Sequence, residues 1–252
     1  SEVPDLDARR GLIGGVTYNV DPAVRPFLDE FPLPNAGSRG QGIGLHQVAF
    51  NQRLTQDFAQ ARFDHYFNSR HQAFARYTID NADQRLPTDY PQFPRAFLSR
   101  NHFATAEFRQ IISPETLNTV RLGFSRTRIG QAVEANTTNP LPVFVPGRGL
   151  TGNIDIGGFP RWGPQTSVTV QLVQNLFSVE DGLVLQRGRH LIKTGVVVER
   201  YQDNMVNPTF GLGIYTFNDL PSFLQNRPAR FIGLTPTGAL DLREEDASVV
   251  LL

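Results

Sequence analysis

The side chains that most often perform chemistry are few and poorly grouped in this chain of 252 residues. Its five histidines are His46, His65, His71, His102 and His190, and none forms an HxH, HxxxH or HExxH spacing. A zinc site needs ligands that converge, so the sequence gives a metal site no local support. His71 and His190 lie at predicted tight turns, where an imidazole is simply hydrated.

Acids and bases that are neighbours in the sequence do not form a catalytic group either. Asp64 and His65 are adjacent in RFDH, but neighbours in a strand point to opposite faces, which rules out a hydrolase-type pair. Asp64 shares its face with Arg62, and we expect these two to pair with each other or with the next strand. There is no GxSxG motif, and GRGLTGN (147–153) lacks the lysine and the helix of a phosphate loop. We therefore expect no enzymatic activity and no cofactor.

Two runs of carboxylates leave alternatives open. Glu180–Asp181 and Glu244–Glu245–Asp246 could supply a glycosidase pair or a calcium site. Adjacent acids on a strand diverge, whereas glycosidase carboxylates converge to within about 5–9 Å. A calcium site at 244–246 needs further loop oxygens that the sequence does not identify. Hydrated charge runs are the favoured interpretation of both.

The composition excludes several classes of protein. The chain has 24 basic and 24 acidic residues, so net charge gives no argument for a nucleic-acid partner. It has no cysteine, which excludes disulfide scaffolds, Cys-zinc sites and Cys nucleophiles. No run reaches the roughly 20 apolar residues that a membrane helix needs. The first residues, SEVPDLDARRG, are polar and acidic and do not resemble a signal peptide.

Alternation of apolar and polar residues is the main structural signal. In 59–80, AQARFDHYFNSRHQAFARYTID, the pattern predicts two strands, with Ala59, Ala61, Phe63 and Phe67 on one face. Gln60, Arg62, Asp64 and Tyr66 then lie on the other. A soluble sandwich would cover the apolar face with a second sheet, whereas an outer-membrane barrel would turn it to lipid.

The connections between the predicted strands are of two kinds that alternate strictly. Short turns and long loops would then lie at opposite ends of the sheet, as in bacterial outer-membrane barrels. The strands are predicted at 59–67, 72–80, 102–112, 117–129, 167–186 and 190–202. The tight turns are 68–71, 113–116 and 186–190, and the long loops are 81–101, 130–166 and 203–212.

Two more features favour the barrel. In 117–129, Val120, Leu122 and Phe124 alternate with residues such as Arg121, and in 190–202, Ile192, Val196 and Val198 alternate with residues such as Lys193 and Glu199. A mid-strand charge is tolerated when it faces a hydrated lumen. Asp181 breaks the pattern, and we expect a bulge there or a position outside the hydrocarbon layer. Aromatic residues recur at strand ends, as interfacial girdles require: Tyr66, Phe67, Phe74, Tyr77, Phe103, Phe108, Phe124 and Tyr201.

Two short helices are predicted outside these strands. In NVDPAVRPFLDEFPLPN, Asp21 would cap a helix with Pro22 at its first position and Pro26 in its first turn. In 214–231, Asn218 or Asp219 would cap a second helix with Pro221 in its first turn. We expect one partial barrel domain over 1–252, made of a long extracellular loop with a helix (1–58), hairpins (59–202), and a loop with a helix and the start of a strand (203–252).

Six stretches in series resemble the barrel of TonB-dependent outer-membrane receptors of the Oar-like group. They are VPDLDARRG, DPAVRPFLDEFPLPN, RFDHYFNSRHQAFARYTID, ISPETLNTVRLGFSRT, LFSVEDGLVLQRGRHLIKTGVVVERYQDN and GIYTFNDLPSFLQNRPARF. The resemblance implies an internal segment of about 7–8 strands from a 22-stranded barrel in the outer membrane of a Gram-negative-type bacterium. It implies outer-membrane lipid and the TonB system as partners, the latter through a plug that is absent here. We expect the isolated piece to aggregate through its open edges.

The function expected from this resemblance is uptake of an unidentified ligand by binding and gated passage. An oligosaccharide, a peptide and a chelate remain open as ligands. The loops 81–101 and 130–166 are the expected contact regions, and the second contains Trp162, Arg148 and Arg161, which suit an oligosaccharide or a peptide; no ligand residue is assigned. The alternative is a soluble, secreted β-sandwich for adhesion or carbohydrate binding. A second protein layer over Val120, Leu122, Phe124, Ile192 and Val196 would support that alternative.

Overall fold

The computed structural model describes residues 1–166, 169–234 and 241–251, and one antiparallel sheet of seven long strands dominates it. The strands in chain order are β1 (Glu2–Pro4), β2 (Leu12–Ile13), β3 (Val16–Thr17), β4 (Ser38–Gly40), β5 (Ile43–Leu45), β6 (Arg53–Tyr66), β7 (His71–Leu86), β8 (Arg95–Ser113), β9 (Thr116–Val133), β10 (Asn153–Ile156), β11 (Val170–Arg187), β12 (His190–Val206), β13 (Ile214–Phe217), β14 (Arg230–Ile232) and β15 (Asp241–Leu251). The helices are α1 (Arg25–Glu30), α2 (Leu220–Leu224) and a 3-10 turn at Ala8–Arg10. Neither α-helix is long and apolar enough to cross a membrane, in the part of the chain described.

The large sheet runs up and down in the order β6-β7-β8-β9-β11-β12-β15, so each long strand pairs with the next one along the chain. Tight turns join β6 to β7, β8 to β9, and β11 to β12, and the long connections lie at the other end, as predicted. Asn68 shapes the first turn, because its Oδ1 accepts hydrogen bonds from the Arg70 and His71 amides at 2.8 and 2.9 Å. The fold class is therefore an all-β, up-and-down sheet with loops at one end.

The strands extend further toward the loop end than the alternation predicted. The predicted loop 81–101 is strand except for residues 87–94, and β6 begins at Arg53, within the predicted first loop. Residues 81–85, NADQR, place polar side chains on both faces and no large apolar side chain on either, so they carry no period-two signal. Their backbone nevertheless stays paired with β8. Both faces meet water once a strand leaves the bilayer, which removes the alternation without removing the hydrogen bonds.

The cross-strand register sorts the side chains into an apolar face and a polar face. One row runs Phe63, Ala75, Ala106, Leu122, Val179 and Val198, and the next row runs Asp64, Phe74, Glu107, Arg121, Glu180 and Val197. The faces predicted for 59–67 are confirmed. Leu122 is 51% exposed and Ile192 48% exposed, and Val120, Phe124 and Val196 are not buried either. Among the described residues, no second layer of protein covers the apolar face. A barrel needs this face to be open to lipid, whereas a sandwich would cover it.

The buried core lies in the loops rather than in the large sheet. In the described residues, every buried apolar side chain belongs to 1–50, 87–94, 134–166 or 207–234, which we call the loop dome. Pairing between loops holds it together, because β10 runs parallel to β13 and β13 pairs with β14. The Tyr90 hydroxyl donates to the Glu2 carbonyl at 2.9 Å, which ties the loop between β7 and β8 to the first strand. Burial raises the pKa of this phenol, so it remains a hydrogen-bond donor at any physiological pH.

One predicted helix cap is wrong and the other is confirmed. Helix α1 begins at Arg25, and its N-cap residue, Val24, makes no side-chain cap. Asp21 instead closes the preceding turn, where its carboxylate accepts from the Ala23 amide at 2.8 Å. Helix α2 has the predicted cap, since the Asp219 carboxylate accepts from the Ser222 amide at 2.8 Å. Bonds from the Ser222 hydroxyl and amide lower the pKa of Asp219.

Candidate ligand-binding site

The loop dome contains an apolar cavity of about 300 Å³, which we call the dome pocket. Helix α1, the segment 142–144, β13 and α2 surround it with side chains that include Phe27, Phe144, Tyr215, Phe217 and Phe223. The Phe144 ring lies 5.5 Å from Phe27 and 4.8 Å from Tyr215, centroid to centroid. A concave site lined by aromatic rings suits an apolar or planar part of a ligand.

A polar residue in an unusual backbone conformation borders this pocket. Asn226 lines the cavity and has a φ of +52°, in the left-handed region that asparagine tolerates better than most residues. It directly follows the C-cap residue of α2, and its backbone amide donates to the Phe223 carbonyl at 3.0 Å. The end of α2 therefore brings an amide side chain to an otherwise apolar wall.

Arg9 fixes the position of α1, the wall that carries Phe27. Its guanidinium donates to the carbonyls of Leu28, Phe31 and Pro32 at 3.0, 2.7 and 2.8 Å, and its Nε donates to Pro4 at 3.1 Å. These carbonyls lie at or just after the end of a six-residue helix, where they have no helical partner. Desolvation by burial lowers the pKa of Arg9, but a guanidinium stays charged in proteins. The first strand and α1 are thus held together by one side chain.

Trp162 and its neighbours are placed differently from the expectation for a ligand contact. Trp162 is 0% exposed and packs on Phe27, Phe31 and Phe93, with ring centroids 5.9, 5.4 and 4.9 Å away. It is the centre of the dome core and offers no open face for a sugar or peptide. Arg161 pairs with Asp155 at 3.3 Å, while Arg148 is half-buried and does not line the dome pocket. Residues 142–144 and 154 of the dome pocket lie within the expected contact loop 130–166, but nothing in the spacing of residues 144, 215 and 223 predicts that they come together.

The polar face of the sheet carries a second concavity of about 400 Å³, the luminal groove. Its lining includes Gln60, Arg76, Thr78, Ser125 and Ser178, each of which points to the polar face. Gly123 makes room for one of them, since a Cβ there would lie 2.3 Å from the Ser178 hydroxyl. Hydroxyls and amides beside one arginine suit a polar or anionic solute.

Ion pairs order the rest of that face. Arg121 bridges three strands, with contacts of 2.7 Å to Glu107 and 3.1 Å to Glu180. Arg62 pairs with Asp64 at 2.7 Å, as predicted, and also lies 3.9 Å over the Phe74 ring. Glu180 and Asp181 diverge to opposite faces, so they form no glycosidase pair. Such exposed pairs contribute little stability, but they fix the polar side chains that border the groove.

The apolar face has an aromatic border at each end. On the turn side, the ring of His65 lies 4.5 Å from Phe67, and His71 stacks 5.9 Å from Phe108. His71 is therefore packed on a ring rather than simply hydrated. On the loop side, Phe124 contacts Phe177 at 5.2 Å and Tyr77 contacts the His102 ring nitrogen at 2.6 Å. Half of the predicted girdle is wrong, because these residues point to the polar face: Tyr66, Phe74, Phe103 and Tyr201.

Asp181 lies on the apolar face without a bulge, because β11 keeps an unbroken register with both neighbours. The Asn118 side chain donates to its carboxylate at 2.6 Å. The next row toward the turns contains Gln110, Asn118 and Thr194, so Asp181 adjoins a polar band. A position at the edge of the hydrocarbon layer is the explanation that remains.

The structure describes the strand that contains Glu244–Glu245–Asp246 but not the side chains of these three residues, so the calcium alternative lies outside the described part. Among the described residues, no cluster of three side chains of the metal-binding types occurs.

A family model described as "Outer membrane beta barrel domain" matches residues 12–249. No curated protein and no solved structure matches the chain significantly. The matched range includes six complete long strands and nearly all of β15, together with almost the whole loop dome. An apolar outer face, a polar inner face and turns at one end are the properties that such a domain needs. The chain therefore belongs to the outer membrane β-barrel domain family and is an outer-membrane protein.

Proposed function

We propose that this barrel is part of a TonB-dependent receptor that binds a ligand at its loops and imports it through its lumen. The observation that carries the proposal is the loop dome, a folded unit with its own core and pocket at the loop end of a barrel with a polar inner face. A folded unit with a pocket gives a ligand a place to bind before it enters the lumen. The inference of coupling to TonB rests on the resemblance of six stretches to Oar-like receptors, in which the coupling runs through a plug that precedes the barrel.

Import would begin at the dome pocket and continue along the luminal groove. The pocket takes an apolar or planar group, and the groove takes polar groups beside Arg76, so a ligand with both characters fits best. A peptide with an aromatic residue has both characters, and an oligosaccharide and a chelate remain alternatives. No bond needs to be broken in this scheme, so we propose a transporter and not an enzyme.

Coupling to TonB is tested with the intact protein that carries this barrel. Immobilised periplasmic domain of TonB is expected to retain the detergent-solubilised intact protein, and deletion of the segment before the barrel is expected to abolish retention. Intact protein that is folded, binds a ligand and is not retained would contradict TonB coupling.

Ligand binding at the dome pocket is tested by filling it. Val143 lines the pocket and is 41% exposed, so Val143→Trp should occupy the cavity without disturbing the core. Val16→Trp is the matched control, because Val16 is an exposed valine of β3 that does not line the pocket. Maltodextrin, a tryptic casein digest and ferric citrate serve as probes of the three ligand classes. Filling the pocket should weaken binding of the active probe at least about tenfold (1.4 kcal/mol), and an equal effect of both variants would contradict the assignment.

A further inference from the structure

Two arginines face each other on the outer side of the sheet, just beyond its apolar band. Arg100 in β8 lies directly opposite Arg128 in β9, and both have the same parity as the lipid-facing residues of their strands. Like charges placed directly opposite each other across a sheet are destabilising unless something neutralises them. Neither arginine forms a salt bridge with any described residue.

A neighbouring row adds positive charge, and the nearest carboxylates do not pair with these two arginines. One row nearer the apolar band, His102 lies opposite Arg126, whose guanidinium donates to the neutral Asn175 amide oxygen at 3.0 Å. Asp83 lies diagonal to Arg100 in the register but forms no ion pair with it in the described structure. Glu134, further toward the loops, is already paired with Arg85.

The two arginines line a cleft of about 150 Å³, which we call the outer cleft. Leu98, Gly130 and Gln171 lie on the same face by their register, and Thr169, just before β11, also lines the cleft. Gly130 adds no side chain to the cleft. Two planar guanidinium groups beside a hydroxyl and an amide are the donor set that holds a phosphate.

The position along the strand identifies where that phosphate would come from. Phe124 marks the loop-side aromatic border, and Arg128 is four residues beyond it, about 13 Å along the strand. The first polar row beyond that border is the row of Arg126, so Arg128, one row further out, lies at the level of the headgroup layer. We propose that the outer cleft binds a phosphate group of a membrane lipid in the leaflet on the loop side. This inference uses the barrel assignment alone and does not depend on ligand import or TonB.

The test uses the intact protein in a non-ionic detergent and measures retained lipid by native mass spectrometry. The probes are phosphatidic acid, which has a phosphate monoester, phosphatidylcholine as the neutral lipid, and inorganic phosphate. Phosphatidic acid should bind at least about tenfold tighter than phosphatidylcholine. Because one basic residue near an anionic lipid contributes about 1 kcal/mol, or roughly a factor of five, the R100Q/R128Q variant should bind it about 25-fold more weakly.

Arg109→Gln is the matched control, because Arg109 is an exposed arginine of β8 on the opposite face. Its affinity for phosphatidic acid should stay within about twofold of the wild type. In detergent without lipid, R100Q/R128Q should be at least as stable as the wild type, since the repulsion is removed. Unchanged affinity in R100Q/R128Q, an equal loss in R109Q, or lower stability of R100Q/R128Q would each overturn the proposal. Competition by inorganic phosphate as strong as that by phosphatidic acid would show a free-phosphate site and would overturn the lipid assignment.

Discussion

Replacement of Leu122 by arginine tests which face of the sheet meets lipid. Leu122 lies in an outer row with Ala106 and Val179 as its cross-strand neighbours, and it is 51% exposed. The matched variant is Leu176→Arg in the adjacent strand β11, where Leu176 lines the luminal groove. The chemical change is the same in both variants, and only the face differs.

The cost follows from the depth of Leu122 in the apolar band. The nearest polar residues on its own face and strand are Asn118 and Arg126, each four residues away, or about 13 Å along the strand. At the usual barrel tilt of about 40°, this leaves about 10 Å of depth in either direction. An arginine at position 122 cannot place its charge among headgroups without distorting the bilayer, so about 2–4 kcal/mol of stability should be lost. Leu176→Arg should cost less than about 1 kcal/mol, because its charge enters water beside hydroxyl groups.

The measurement is a urea titration of the intact protein folded into phosphatidylcholine vesicles, followed by circular dichroism. The midpoint and slope together give the free energy of unfolding of each variant. Equal losses for the two variants, or a larger loss for Leu176→Arg, would refute the assignment of the apolar face to lipid.

Three further predictions concern the loop dome of the intact protein. Trp162→Ala should destabilise the dome by about 3–5 kcal/mol, seen as faster proteolysis of the loops with unchanged β-sheet circular dichroism; loss of the sheet signal would contradict independent packing. Arg9→Met should cost about 2–4 kcal/mol by stranding the carbonyls at the end of α1, measured by the same proteolysis, and Arg9→Lys should recover only part of it. Asp219→Ala should cost about 1 kcal/mol at neutral pH. Because its pKa is held below the ordinary 3.8, this difference should be present above pH 3.8 and vanish as pH falls through the lowered pKa; a difference that persists in acid would contradict the capping role.

The part of the fold that alternation could predict is the part that touches lipid. Residues 59–67 and 117–129 have one face in hydrocarbon and one in water, so their sequence carries a period of two. Residues 81–85 have water on both sides, and no pattern distinguishes them from a loop. Asp181 shows the same limit at the turn end, where the polar band begins.

The candidate site was beyond sequence reasoning for a different reason. The dome pocket is lined by Phe27, Phe144, Tyr215 and Phe223, which are up to about 200 positions apart and belong to no common sequence motif. Trp162 was expected to suit a ligand, and its burial makes that expectation wrong. A lone tryptophan in a long loop can be a core residue or a contact residue, and only its packing decides. The cap at Asp219 was predictable because it is local, whereas the Arg9 clamp spans 23 positions.

The parallel pairing of β10 with β13 has a consequence for how new specificities can arise. Because two connections share one small sheet and one tryptophan-centred core, neither can be exchanged alone between related barrels without losing its partner strand. A chimaera should transfer recognition only when residues 134–166 and 207–234 are transplanted as a set. Diversification among such proteins is then expected at exposed positions on this scaffold, such as Val143, and not through loop insertion at β10 or β13.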